Sequence, residues 1–85
     1  MDKAREIFLR RYNELMSYFE HPQEVDLCLL SLVRREITSL IDAAAMYDFY
    51  DGGELEVFER DAGHAYSKAC IEFAFGEDYI TASES

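Results

Sequence analysis

Leu30, Val33, Ile37, Leu40, Ala44 and Tyr47 follow one another at steps of three and four without a break. That period fits one face of an α-helix and excludes a strand, where alternate residues share a face. Leu29 and Ile41 widen the stripe, and Val25 precedes it. The early part, Val25, Leu27, Cys28, Leu29, Leu30, Leu32 and Val33, is apolar on nearly every side. Such a girdle belongs at the centre of a bundle or under another chain. Arg34, Arg35, Thr38 and Asp42 mark the expected solvent side, and Asp51-Gly52-Gly53 the expected stop, since glycine accepts the left-handed conformation that closes a helix.

The flanking segments carry the same rhythm. Ala4, Phe8, Tyr12, Leu15 and Phe19 predict a helix over 2–20, with Leu9 and Met16 widening its stripe and Asp2 as N-cap. It stops at His21-Pro22, because the residue before a proline is pushed out of the α region, and Pro22 suits the first turn of a second helix over 22–50. Leu55, Phe58, Ala62, Ala65, Ala69 and Phe73 predict a third over 54–75, its start enriched in carboxylates. Gly63 is the weak point; a break there would give four helices. A rival assignment makes Glu54–Phe58 a short strand, since Leu55 and Val57 alternate with carboxylates. Gly76 is the expected closing residue, Tyr79 and Ile80 are expected to return to the core, and 81–85 reads as a flexible tail. The expectation is all-α: one domain over 1–80, a small antiparallel three-helix bundle.

With 85 residues, a single core suffices. An apolar content of 49% supports that core, while a net charge of −10 argues against direct nucleic-acid binding or a polybasic membrane contact. The start, Met1-Asp2-Lys3-Ala4-Arg5-Glu6, leads into no apolar signal region, so the expected location is the cytoplasm. Cys28 and Cys70, on apolar segments and outside any Cys-x-x-Cys pairing, read as reduced core thiols.

Little in the chain advertises catalysis. Setting Asp48 at position one of a calcium loop places Gly53, Leu55, Glu56 and Glu59 suitably, but Tyr50 and Gly52 fall where side-chain oxygens are required. His21 and His64 lack the neighbours of a zinc set or an acid-base pair. Gly52-Gly53 has no following Lys-Ser or Lys-Thr to cradle phosphate. Neither an enzyme nor a cofactor or metal is expected.

Charge position is more informative. Residues 1–36 hold six basic and seven acidic side chains, net −1; residues 37–85 hold two and eleven, net −9. Between Tyr47 and Asp61, carboxylates alternate with Tyr47, Phe49, Tyr50, Leu55, Val57 and Phe58. This is the pattern of aromatic anchors ringed by groups that pair with a partner's Arg and Lys. The candidate partner-binding residues are Tyr47, Asp48, Tyr50, Asp51, Glu54, Glu56, Glu59 and Asp61. The expected function is a small acidic inhibitor docking on a basic protein, such as a nucleic-acid-processing complex, where carboxylates occupy phosphate subsites. In profile, short, acidic and motif-poor, the chain is similar to phage and mobile-element proteins that block restriction or CRISPR complexes. Immunity proteins and antitoxins share the same physics. The alternative is a helical homo-oligomer with a structural or regulatory role, joined through the Val25–Val33 girdle and the heptad to Tyr47.

Overall fold

A computed structural model describes residues 2–75 as three α-helices, α1 Asp2–Ser17, α2 Leu27–Met46 and α3 Gly52–Phe75. The capping expected of Asp2, and the roles expected of Gly76, Tyr79, Ile80 and the 81–85 tail, lie outside the described residues. The helices run up, down and up. Arg5 meets Phe49 and Arg11 meets Glu36, so α1 and α2 are antiparallel. Tyr12 meets Phe58 and Phe19 meets Tyr66, so α1 and α3 are parallel. The three-helix bundle is therefore the fold, with extents of 43 × 25 × 16 Å.

Most of the core comes from the stripes, though Leu9, Tyr47 and Phe73, expected on them, are exposed. Phe8, Tyr12, Leu15 and Phe19 from the first segment, Leu30, Val33, Ile37, Ile41 and Ala44 from α2, and Ala62 and Ala69 from α3 are all buried. Each large aliphatic side chain buried fully contributes about 1.5–3 kcal/mol. The alanines leave α3 nearly smooth where it lies on α2, its most extensive neighbour. Aromatic rings fill the wider space near the α2–α3 end: Phe58 packs edge-on against Phe8, Tyr12 and Tyr50 at centroid separations of 4.9–5.2 Å.

Boundaries and faces differ from the sequence expectation in several places. Helix α1 ends at Ser17 and continues as a 3-10 turn, Tyr18–Glu20. Pro22 opens another short 3-10 turn, Pro22–Glu24, and α2 begins only at Leu27, where the Asp26 side chain accepts from the Leu29 backbone N–H at 2.7 Å. Helix α2 stops at Met46 rather than near 50, Tyr47 is exposed, and within the helix Ile41 is more buried than Leu40. Gly52-Gly53 starts α3 instead of ending α2. Helix α3 runs through Gly63 unbroken, and 54–58 is helical, so neither a fourth helix nor a strand forms there. Its buried stripe fades by Phe73, which is exposed.

Three side-chain placements are also corrected. Cys28 is exposed and Cys70 half-buried, so Cys28 is not a core thiol. Arg34 and Thr38 are half-buried, because Arg34 donates to the Thr38 hydroxyl at 2.7 Å and pairs with Glu59 across the α2–α3 seam. The apolar girdle divides: Leu30 and Val33 enter the core, while Leu27, Cys28 and Leu32 face out.

Candidate functional site

The acidic, aromatic segment forms the α2–α3 end of the bundle, and its backbone dictates which side chains remain available. Asp48 sits in the left-handed region at φ 54°. Asp48 N–H donates to the Ala45 carbonyl at 3.3 Å and Phe49 N–H to the Ala44 carbonyl at 3.0 Å, the paired bonds of a Schellman closure. The residue after the left-handed position then turns inward, and Phe49 packs against the core. Arg5 fixes it there by donating to the Phe49 carbonyl at 2.8 Å, with its guanidinium 5.0 Å from the Tyr50 ring centre.

Asp51 and Glu54 form a reciprocal cap. Glu54 N–H donates to Asp51 Oδ1 at 2.8 Å, and Asp51 N–H donates to Glu54 Oε2 at 3.1 Å. Gly53 belongs to this arrangement, since a Cβ there would lie 3.3 Å from the Asp51 carboxylate oxygen. Two carboxylates at the positive end of α3 also favour the helix dipole.

The eight candidate residues therefore separate by task. Tyr50 is half-buried between Phe8 and Phe58, at 5.1 and 5.2 Å. Asp51 and Glu54 hold the helix start, and Glu59 pairs with Arg34 at 3.4 Å. Tyr47, Asp48, Glu56 and Asp61 are exposed and form no ion pair among the described residues. Asp61 still acts through space: burial first, and its negative charge second, push the Tyr12 phenol above the ordinary tyrosine range, against a smaller lowering by Arg34. Tyr12 meanwhile donates to the Phe58 carbonyl at 2.9 Å.

Two further residues join the exposed set. Met46 is 80% exposed beside Tyr47 at 70%, and Val57 is exposed one turn into α3. Met46 falls outside the Leu40, Ala44, Tyr47 rhythm, and that displacement is the sequence signal for its outward placement.

Calcium-loop geometry does not arise here, because the segment is helical from Gly52, Asp51 and Glu54 cap that helix, and Glu59 pairs with Arg34. Among the described residues, no three His, Cys, Asp or Glu side chains converge on a point that could hold a metal ion. No described helix is long and apolar enough to cross a membrane. A groove of about 230 Å³ lies between α1 and α2, lined by Leu15, Leu29, Leu32 and Val33 with the Arg11–Glu36 ion pair at 3.0 Å among its walls. Compared with known proteins, the chain matches no family model, no curated protein and no solved structure.

Proposed function

We propose that this chain is a non-enzymatic protein-binding module whose α2–α3 end docks on a basic partner, in the manner of an inhibitor of a nucleic-acid-processing complex. The observation that carries the reading is the set left over at that end. Met46, Tyr47 and Val57 are exposed apolar groups, and the neighbouring Asp48 and Glu56 carboxylates form no ion pair among the described residues. Apolar anchors contribute affinity when desolvated, and unpaired carboxylates steer a positive surface toward them. The Schellman closure and the reciprocal cap support the reading by holding the display rigid, which lowers the ordering cost of binding. Anti-CRISPR, anti-restriction, immunity and antitoxin roles all fall within this class.

The test is affinity capture of the partner, followed by binding measurements on the pair. Expected is a basic nucleic-acid-binding protein whose capture weakens with salt and is competed by duplex DNA or RNA. Tyr47→Ala, and Asp48→Asn combined with Glu56→Lys, are expected to abolish capture with helicity unchanged. These positions are chosen because Glu54 and Glu59 carry structural bonds, so their reversal would confuse binding with folding. Capture that survives high salt and both variants would overturn the proposal.

A further inference from the structure

We infer that the outward face of α2 is a self-pairing surface on which a second copy of this chain docks antiparallel. Cys28, Leu32, Arg35, Ser39, Asp42 and Met46 are all exposed and recur at steps of four and three. They form one stripe, on the side of α2 opposite the buried Leu30, Val33, Ile37, Ile41 and Ala44.

The order of chemistry along the stripe selects the partner. From Leu32 to Met46 it reads apolar, basic, small, acidic, apolar, centred on Ser39. An antiparallel two-fold apposition about Ser39 sets Arg35 of each copy against Asp42 of the other, and Leu32 against Met46. A parallel apposition in register would set Arg35 on Arg35 and Asp42 on Asp42, with like charges facing. Neither Arg35 nor Asp42 forms an ion pair among the described residues, so both are available to the second copy. Leu32, 53% exposed, and Met46, 80% exposed, supply apolar surface at the two ends, about 21 Å apart at 1.5 Å per residue. Ser39 between them is small enough for the two helices to approach closely. The stripe meets the proposed docking end at Met46, so a second copy and the basic partner would compete for that side chain, but the pairing does not rest on that function.

The experiment is sedimentation of the full chain across the micromolar range, with variants read by the shift in dimer dissociation constant. A monomer–dimer equilibrium is expected. Arg35→Asp alone and Asp42→Arg alone should each weaken it about tenfold, because each sets like charges together at both symmetry-related contacts. The double swap should recover most of that loss. As a second readout, Ser39→Cys in a Cys28→Ser, Cys70→Ser background should oxidise to a covalent dimer. A chain that stays monomeric, a dimer indifferent to the single reversals, a swap without recovery, or a dimer that Ser39→Cys does not cross-link would each overturn the inference.

Discussion

The two ends of the bundle solve one problem, reversing a helix, by different means. Between α1 and α2 the chain uses a proline and two 3-10 turns, with Phe19 and Pro22 buried beneath them. Between α2 and α3 it uses five residues, one of them a left-handed aspartate, and the backbone bonds to Ala44 and Ala45 make the turn. The first reversal depends on side-chain packing. The second adds main-chain bonds and caps to the packing of Phe49 and Tyr50, and Met46 and Tyr47 stay outside. A turn that packs Phe49 and Tyr50 inward while leaving Met46 and Tyr47 free suits the binding role proposed for this end.

The largest expected effect breaks the packed end. Phe19→Ala removes a buried ring 5.9 Å from Tyr66 and should cost about 3–4 kcal/mol in urea unfolding, whereas Tyr47→Ala at the open end should stay within about 0.5 kcal/mol. Equal large losses at both positions would dissolve the contrast. Next come the caps: Asp26→Ala and Asp51→Ala should each cost about 1 kcal/mol, since both orphan a helix-start N–H. Smaller still, and of opposite sign, Asp48→Gly should raise stability by up to about 1 kcal/mol by relieving the left-handed aspartate, while removing a charge the proposed partner would read.

The smallest effect concerns pH. The Tyr12 phenol is raised in the folded state, mainly by burial, so the native protein holds this proton more tightly than the unfolded chain. Its contribution is fully present below the unfolded tyrosine value of about 10 and is lost as pH rises through the higher folded value. Thermal unfolding of the native chain and of Tyr12→Phe should therefore diverge only above about pH 10, with the native chain falling faster. Parallel curves there would remove Tyr12 from the account.

How much of this was legible depended on whether the side-chain period or the backbone decided the matter. The stripe from Phe8 to Phe19 was legible because burial follows period directly, and the core confirms it. The end of α2 was not, because Tyr47 keeps the rhythm while the backbone has already turned at Asp48. Gly52-Gly53 reads as a stop in sequence because glycine commonly closes helices. The decisive signal was instead Asp51 followed three residues later by Glu54, a cap that makes the same glycines a start. Gly63 is the weak point of the third stripe in sequence, yet a Cβ there would meet Arg34 Nη2 at an ordinary 3.6 Å, so the position is neither strained nor crowded. At the candidate site, composition located the acidic end but could not separate Tyr50, Asp51, Glu54 and Glu59, which hold the fold, from the exposed Tyr47, Asp48, Glu56 and Asp61. That distinction lives in contacts between helices, such as Arg34 with Glu59.

Arg5 carries a consequence for any attempt to miniaturise the molecule. It stands 44 residues from Phe49 in sequence, yet its guanidinium holds that residue's carbonyl and covers the Tyr50 ring, while Tyr50 leans on Phe8. A hairpin peptide of α2 and α3 alone would contain every exposed group of the α2–α3 end and lack the clamp that shapes it. The display is thus a property of the whole bundle, and synthetic mimics will need a graft that replaces what the first helix supplies.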